Sequence, residues 1–511
     1  MKKKIRAITF CFIIFASAAV GLGESSAEIM SLTVSMEEPN THYYHVVFNC
    51  EGIKGDTMDF KMPAWSPGYY RVLNFAQNVS NFEAEDGDGK KIAWEKKGEN
   101  IWQVKSAETS SIVLNYDMRA RGRGVAESNL DEKKGYISPT GVFMYVDGGI
   151  QHPVSVTIKP YEKFKKISTG LEPVKGKENT FTAANFDILY DCPIYVGNQE
   201  VIAFEIDGIP YKLAVDGTDD FNRETAVSVL KRIVEAATGV VGEVPYKHYT
   251  FIMMGEGMGG LEHQNSMAVF TSMPKGDDPN DYKRWLAFIS HEFFHLYNVK
   301  AIRPIALGPF DYDKENPTNM LWFSEGGTVY YEYIILNRAG LMGRNEVLNT
   351  LGRTIRKYEN SAGNKIQTVA QASYNTWTEP FFGSKDTISY YDKGSALSML
   401  LDLKIRHETQ NKKSLDDVMK SLYKKYYKGL KRGFTDEEFE QACEETAGSS
   451  LSEFFEYVYT TKAIDYAKYL GYAGLEIETT GDEPEQGSFE IKPIPNPDAL
   501  QSEILNSWLK E

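Results

Sequence analysis

Short runs in which apolar and polar residues alternate dominate the chain between residues 28 and 201. Runs of this kind, rich in Val, Ile, Tyr and Phe, lie at residues 43–48, 58–62, 112–116 and 154–158. Turn residues separate them, such as the Gly-Asp pair at Gly55 and the Asp-Gly pair at Asp86. Alternation with a period of two predicts strands. We therefore expect residues 28–201 to form an all-β, sandwich-like domain.

The pattern becomes mixed after residue 202. Stretches that are typical of strands lie at 204–215 and 249–254, and apolar residues at helical spacing lie between them at 222–238. A further helix is predicted over 281–299. We expect residues 202–335 to form a mixed α/β domain, which makes the whole chain an α+β protein.

Helical spacing prevails beyond residue 336. Capping-box signatures begin at Ser414, Thr435 and Ser450, each just before an apolar-periodic segment. We expect a helical bundle over 336–474. The remaining tail, 475–511, is rich in Pro and Glu and ends in a short predicted helix.

The first 27 residues have a different character. Four basic residues precede an apolar stretch over 7–22, and small residues up to Ala27 offer a cleavage site, which is typical of a secretory signal peptide. An uncleaved anchor is the alternative, but the stretch is shorter than the roughly 20 residues of a membrane helix. We expect an exported protein, periplasmic or secreted, with no stable membrane span once the leader is removed.

Composition and charge narrow the function. The 511 residues are 42% hydrophobic, which excludes a disordered polymer, and the net charge of −15 argues against a nucleic-acid partner, because that work needs a basic surface. Three cysteines lie beyond the leader, far apart and without a Cys-x-x-Cys pair. Neither a disulfide framework nor a cysteine metal site is predicted.

A His-Glu-x-x-His motif lies in the helix predicted over 281–299. Residues four apart share one helix face, so His291 and His295 can present two ring nitrogens to one Zn²⁺. Glu292 then lies beside the open coordination position, where it can act as a general base towards water. A chance match in a chain with 8 histidines is improbable, and the helical context favours a metal site.

A catalytic zinc site usually has a third protein ligand. Glu325, at the start of the next apolar-periodic helix, is the favoured ligand, and Glu332, two turns later, is its rival. Alternatively, Glu325 is only a carboxylate that interacts with a helix dipole. Two histidines and one carboxylate can also hold Fe²⁺ or Co²⁺.

A glycine-rich segment precedes this region. Gly259 and Gly260 allow the backbone to approach a ligand closely, and a sheet-edge strand after them could pair with an extended peptide. Glu262 could neutralise the free α-ammonium of a substrate. The alternative is an ordinary glycine-rich hairpin with a surface carboxylate.

Five motifs, in this order and spacing, closely resemble the glycyl aminopeptidase family of zinc metallopeptidases. They are Gly259-Gly-Leu-Glu262-His263, His291-Glu-Phe-Phe-His295 with Asn298-Val-Lys300 after it, Ile302-Arg-Pro304, Leu307-Gly-Pro-Phe-Asp-Tyr312 and Trp322-Phe-Ser-Glu325-Gly. Met62-Pro-Ala-Trp-Ser-Pro-Gly68 also resembles the N-terminal domain of that family. The resemblance covers roughly residues 30–475.

The resemblance implies a β-rich N-terminal domain followed by a thermolysin-like catalytic domain with a helical second half. It also implies one Zn²⁺ on His291, His295 and Glu325, with Glu292 as the general base. Related alanyl-type aminopeptidases hold the substrate amine with a glutamate that matches Glu262. They stabilise the oxyanion with a tyrosine that matches Tyr391.

A phenol near the metal also suits that role on physical grounds, although an aromatic core residue is the alternative, and Tyr390 could be that residue. Many family members continue into a PDZ domain. The 36 residues after Leu475 are too few for a module of roughly 90 residues, so we expect that domain to be absent.

The expected function is zinc-dependent removal of small N-terminal residues, Gly or Ala, from peptides with a free N-terminus. Two alternatives stay open. One is a zinc endopeptidase on the same scaffold, and the other is a non-catalytic, peptide-binding envelope protein.

Overall fold

A computed structural model describes residues 30–52, 54–217, 222–274, 278–480 and 488–511. The predicted signal peptide, residues 1–27, lies outside the described residues. Within them, each helix is too short or too polar to cross a bilayer.

The N-terminal part is a β-domain of three sheets, as the alternating pattern predicts. Its strands are β1 (Met30–Ser35), β2 (Tyr43–Glu51), β3 (Thr57–Lys61), β4 (Val79–Asp86), β5 (Trp94–Lys96), β6 (Ile101–Lys105), β7 (Ser111–Arg119), β8 (Asn129–Leu130), β9 (Gly135–Ile137), β10 (Tyr145–Val146), β11 (Val154–Lys159), β12 (Lys166–Thr169), β13 (Glu172–Pro173), β14 (Thr180–Ala183) and β15 (Ile194–Gly197). A short helix, α1 (Phe186–Tyr190), precedes β15.

One sheet of the β-domain has seven strands in the order β13-β14-β11-β1-β2-β7-β4, and the two others have the orders β10-β3-β6-β5 and β12-β15-β9-β8. The alternating apolar residues of these strands point into a shared core. There Phe48 of β2 packs edge-on against Phe60 of β3, with ring centroids 5.7 Å apart, so these residues join two of the sheets.

A five-stranded sheet follows the β-domain. Its strands are β16 (Glu200–Ile206), β17 (Ile209–Val215), β18 (Tyr249–Met253), β19 (Gly260–Glu262) and β20 (Ser266–Val269), and the helices α2 (Arg223–Val241) and α3 (Pro279–Phe294) belong to the same stretch of chain. The strands lie in the order β16-β17-β18-β20-β19. The single strand predicted over 204–215 is wrong: Asp207 and Gly208, both with positive φ, turn the chain into a hairpin.

The strand that we expected at the sheet edge is also misplaced. The strand after the glycines, β20, lies between β18 and β19, and the edge strand is β19, which contains Gly260 itself. Hydrogen bonds to both neighbours occupy the backbone of β20, so β19 is the edge strand of this sheet. Just before β19, the backbone of Met258 pairs with that of Arg123 and Val125 in the β-domain.

The C-terminal part is mostly helical, as predicted. Its elements are α4 (Gly327–Arg338), α5 (Arg344–Glu359), α6 (Val369–Tyr374), α7 (Tyr390–Glu408), α8 (Leu415–Leu422), α9 (Asp436–Ala447), α10 (Ser452–Tyr459), α11 (Tyr466–Gly471), β21 (Leu475–Thr480), β22 (Ser488–Pro493) and α12 (Ala499–Trp508). The predicted terminal helix is α12, whereas the β21-β22 hairpin before it was not foreseen.

Two of the three capping-box predictions are confirmed, at Ser414 and Thr435. The third is wrong. Leu451 occupies the N-cap of α10, and the Ser450 hydroxyl donates instead to the Glu444 carboxylate at 3.1 Å. That carboxylate engages the hydroxyl that would otherwise cap the helix.

Candidate metal centre

The His-Glu-x-x-His motif lies at the C-terminal end of α3. The predicted helix continues to 299, but α3 ends at Phe294, and Asn298 and Val299 leave helical dihedral angles. This break has a structural role. It turns the Asn298 carbonyl back towards His295, whose Nδ1–H donates to that oxygen at 2.7 Å.

Asn298 also joins the motif to the segment that carries Glu325. Its side-chain amide donates to the carbonyl oxygens of Phe323 at 2.8 Å and Ser324 at 3.2 Å. Glu325 lies in a π-helical turn, Trp322–Gly326, that leads into α4. The side chain of Asn298 therefore fixes the distance between the second histidine and the predicted third ligand.

Three potential metal ligands converge at this point: His291, His295 and Glu325, whose ligand atoms all lie within 4.8 Å of one another. The two Nε2 atoms are 3.0 Å apart, and Glu325 Oε2 lies 3.7 Å from His291 Nε2 and 3.3 Å from His295 Nε2. Two imidazoles and one carboxylate are the ligand set of many catalytic zinc sites. The residues present therefore fit a zinc ion.

The other side of each ligand is occupied by an orienting partner. Glu332, the rival third ligand, accepts a hydrogen bond from His291 Nδ1 at 2.9 Å, which leaves Nε2 of that ring directed at the other ligands. Tyr70 of the β-domain donates its hydroxyl to Glu325 Oε1 at 2.9 Å, which leaves Oε2 for a metal. Such partners fix the tautomer and orientation of ligands.

Burial and mutual charge shift the acidities of this cluster. Burial alone would raise the pKa of Glu325, but His295 and His291 outweigh it and hold that pKa well below its usual range. Burial also raises the pKa of Glu292, and the two histidines only partly offset this, so that it reaches about 7. A carboxyl with a pKa near neutrality suits a group that both accepts and returns a proton.

A cleft of about 900 Å³ opens above the cluster. Residues from the β-domain, the sheet edge and four helices line it, among them Gly68, Tyr70, Gly259, Gly260, Phe288, His291, Glu292 and Tyr391. Gly260 is needed here because a Cβ on it would lie only 2.5 Å from the Glu292 carboxylate.

The two neighbouring tyrosines of α7 have different surroundings. Tyr390 is buried and its hydroxyl hydrogen-bonds Thr376 Oγ1 at 2.9 Å, as the core alternative anticipates. Tyr391 instead lines the cleft, with its ring centroid 6.4 Å from that of His291. Of the pair, Tyr391 is the one that can reach a substrate.

Glu262 lies on β19, directly beneath Gly68 of the cleft wall, and is only 4% exposed. Its Oε1 is 3.5 Å from Lys300 Nζ, and Lys300 also contacts Asp191. Sequence reasoning did not assign functional roles to Tyr70, Lys300 and Asp191. Tyr70 lies just beyond the Met62-to-Gly68 motif, so proximity to that motif was its only signal.

Two family models match parts of the chain. Residues 31–198 match the model of the peptidase M61 N-terminal domain, and residues 284–397 match that of the M61 glycyl aminopeptidase. No significant match to the chain was found among curated proteins.

Solved structures are similar over most of the chain. An aminopeptidase N family protein from Idiomarina loihiensis is 26% identical, with a TM-score of 0.82 over 88% of this chain and 79% of that one. An M1 zinc metallopeptidase from Deinococcus radiodurans is 11% identical, with a TM-score of 0.55 over 86% and 95% of the two chains. The two family matches span more than half of the 511 residues, and the chain therefore belongs to the M61 glycyl aminopeptidase family of metallopeptidases.

Proposed function

We propose that this metallo-aminopeptidase uses one Zn²⁺ to remove small N-terminal residues, Gly or Ala, from peptides. The observation that carries the proposal is the convergence of His291, His295 and Glu325, with Glu292 in the wall of the adjoining cleft. In this proposal Glu332 orients His291 rather than binding the metal, because its carboxylate meets the Nδ1 side of the ring.

The residues around the ion have separate tasks. When bound, zinc polarises the scissile carbonyl and lowers the pKa of the attacking water. Glu292 takes the proton of that water and returns it to the leaving amine. Tyr391, in the wall of the cleft, donates its hydroxyl to the oxyanion that develops on the substrate.

Glu262 receives the α-ammonium of the substrate, which limits cleavage to the first peptide bond. Glu262 is 4% exposed, and the cation beside it, Lys300, lies 3.5 Å from its Oε1 but 2.9 Å from Asp191 Oδ1, so a second carboxylate shares that charge. A related structure, the Deinococcus radiodurans M1 enzyme, was solved with the substrate Tyr-Ser-Ala bound, which is consistent with a peptide in this cleft.

A paired assay tests the proposal against an endopeptidase. Zinc content and cleavage are measured on purified protein with Gly- or Ala-anilides that are free or N-acetylated. We expect about one zinc per chain and no cleavage of the acetylated substrates. Equal cleavage of both would favour the endopeptidase.

Glu292→Gln tests the general base and the non-catalytic alternative together. We expect it to bind zinc normally and to lose turnover by at least about 10²-fold. A purified variant with normal activity would overturn this mechanism, and a wild-type protein without any peptidase activity would favour a binding protein.

We further propose that the protein is exported and acts in the periplasm or outside the cell. The support is the charged, then apolar, then small-residue order of the first 27 residues. Cell fractionation with N-terminal sequencing should find a mature chain that begins at Glu28 outside the cytoplasm, and deletion of residues 2–27 should retain the protein in the cytoplasm. Full-length protein in the cytoplasm would contradict this.

A further inference from the structure

A buried lysine lies between two carboxylates beside the cleft. Lys300 Nζ is 2.9 Å from Asp191 Oδ1 and 3.5 Å from Glu262 Oε1, and its side chain is 10% exposed. The three groups come from three parts of the chain. Asp191 caps the end of α1 in the β-domain, Glu262 ends β19, and Lys300 belongs to the irregular turn after α3.

Asp191 is the better partnered of the two carboxylates. Its Oδ2 accepts the Gln264 N–H at 2.7 Å, and His263 Nδ1 lies 3.3 Å from Oδ1. Burial alone would raise the pKa of Asp191, but Lys300, His263 and the Gln264 N–H outweigh it and hold it at about 2. Glu262 Oε1, by contrast, meets only the Lys300 ammonium among the described residues, at the longer distance of 3.5 Å.

The arrangement matters for the charge that a substrate meets. Two negative groups and one positive group leave one negative charge, which an α-ammonium would balance. Were Asp191 absent, Lys300 could move onto Glu262 and occupy the place of the substrate amine, because a buried cation needs a counter-ion.

We infer that Asp191 is a positioning residue for amine recognition: it holds Lys300 at the longer distance from Glu262 and so keeps that carboxylate able to receive the α-ammonium of the peptide. Asp191 acts through Lys300 and does not touch the substrate. The inference rests on the proposed function, because it assumes that Glu262 receives the substrate amine.

Charge-restoring variants test this inference by kinetics. Asp191→Asn keeps the shape and an oxygen for the Gln264 N–H but frees Lys300. The KM for a Gly-anilide should rise on the order of tenfold, with a smaller change in kcat. The double variant Asp191→Asn/Lys300→Met again leaves one negative charge, on Glu262, and its KM should return to within about threefold of the wild type. A purely structural role predicts that the second buried substitution adds to the damage.

Amine recognition can also be measured without turnover. Glycine hydroxamate and acetohydroxamate differ only by the amino group, so the ratio of their binding constants reports its recognition. We expect the wild type to prefer glycine hydroxamate, Asp191→Asn to lose most of that preference, and the double variant to regain it. Asp416→Asn is the matched control, because it also removes the carboxylate of a largely buried ion pair, with Arg338 at 2.8 Å, but far along the chain on α8. It should keep the preference.

The outcomes distinguish a failure of the proposed role of Glu262 from a failure of the inferred role of Asp191. A wild-type protein that binds both hydroxamates equally would overturn the proposed function of Glu262. A wild type that prefers the amine, together with an Asp191→Asn variant that keeps this preference or a double variant that does not regain it, would overturn the role of Asp191. If Asp191→Asn does not fold, Lys300→Met carries the test. Without the competing cation the amine preference should be at least that of the wild type, and its loss would overturn the inference.

Discussion

Tyr70 is the residue by which the β-domain reaches the metal centre. Its backbone has a φ of 48°, which is unusual for a bulky residue, and its hydroxyl donates to Glu325 Oε1 at 2.9 Å. A strained conformation persists only where its surroundings enforce it. Here Arg71, the next residue, donates to the carbonyl oxygens of Thr376 and Glu379 in the helical part.

Tyr70→Phe should weaken metal binding while leaving the fold intact. The substitution removes only the hydroxyl that orients Glu325, and loss of such a partner typically costs about 10- to 100-fold in metal affinity. Competition with a zinc chelator, monitored as metal release, measures the change. Tyr69→Phe is the control, because Tyr69 lines the same cleft but packs its ring against Phe381, with the ring centroids 6.2 Å apart. Equal zinc affinity in wild type and Tyr70→Phe would contradict the role of Tyr70.

Lys393, two residues after Tyr391, is a buried lysine that, unlike Lys300, has no carboxylate in contact with it among the described residues. Its side chain is fully buried, its Nζ has no hydrogen-bond partner among the described residues, and it lies 5.1 Å from the centre of the Tyr358 ring. Burial lowers the pKa of Lys393 to about 8, against a smaller opposing effect of Glu359. Below about pH 8 the amine is therefore still protonated, and the folded state bears the cost of burying its charge.

Lys393→Met should therefore stabilise the protein near neutral pH. The unfolded lysine has a pKa of about 10.4, so the unfolded chain binds the proton more tightly and the free energy of unfolding rises with pH between about 8 and 10.4. Below pH 8 the folded state bears the full cost of burying the ammonium. Methionine should therefore raise the free energy of unfolding by roughly 3 kcal/mol there, and this gain shrinks as the pH approaches 10.4. Urea unfolding of wild type and variant across this range measures the difference.

Lys404→Met is the control for Lys393→Met. It lies on the same helix, but its ammonium is paired with Glu408. It should bring no such gain. A Lys393→Met variant whose stability differs from that of the wild type by the same amount at every pH would contradict the lowered pKa of Lys393.

At the level of elements, the sequence predicts the features that depend on the periodicity of apolar residues or on the spacing of motif residues. Alternation located β2, β3, β7 and β11, and the His-Glu-x-x-His spacing located two of the candidate ligands. What it missed depends on tertiary contacts. The end of α3 is decided by the bond from His295 to Asn298, which no local propensity encodes. Glu325 and Glu332 look alike in sequence, and only the packing of α4 against α3 decides which faces Nε2 and which faces Nδ1.

That packing depends on a close crossing of α7 over the turn that carries Glu325. A Cβ on Gly394 would lie 2.0 Å from the Trp322 carbonyl oxygen, and one on Gly326 would lie 2.5 Å from the Gly394 Cα. The two glycines let the backbones approach, which brings Tyr391, one turn before Gly394, into the wall of the same cleft as His291.

Gly394→Ala should force this crossing apart. Overpacking of a tight contact typically costs about 1–3 kcal/mol, and the displaced Trp322 backbone should carry Glu325 away from the histidines. We expect a lower melting temperature together with reduced zinc affinity. Gly239→Ala, near the end of α2 with open space around it, is the control and should not destabilise the protein. A Gly394→Ala variant with native stability and zinc affinity would disprove the crossing.

At the scale of the whole molecule, two motifs to which the sequence assigned no catalytic role, Met62 to Gly68 and Leu307 to Tyr312, pack against each other and form one interface. Trp65 of the Met62-to-Gly68 motif donates its Nε1–H to the Asp311 carbonyl at 2.8 Å and packs edge-on against Phe310, with ring centroids 5.5 Å apart. The Ala64 N–H donates to the Tyr312 carbonyl at 2.8 Å. The sequence could not reveal this, because the partners lie almost 250 positions apart. The interface anchors the loop that contains Gly68 and Tyr70 over the catalytic part.

Gly68 is the point at which that loop meets the proposed amine site. Its φ of 89° is in the left-handed region, and a Cβ on it would lie 2.8 Å from both oxygens of Glu262 and 2.9 Å from Leu261 Cδ2. An alanine would therefore bear a backbone strain of about 1 kcal/mol and would also press a methyl group onto the carboxylate that we propose for the amine.

Gly68→Ala should raise the KM for free-amine substrates by about tenfold or more, because the methyl group must displace either the loop or Glu262. Zinc content should stay normal, since Glu262 is not a proposed ligand. Gly89→Ala is the control for backbone strain without a steric clash: Gly89 has nearly the same φ, 82°, in a turn of the same domain, but a Cβ on it would have no atom within 4 Å. It should show the strain as a small loss of stability with an unchanged KM. If both variants changed KM alike, backbone strain would be the cause, and the β-domain would have no direct part in receiving the substrate amine.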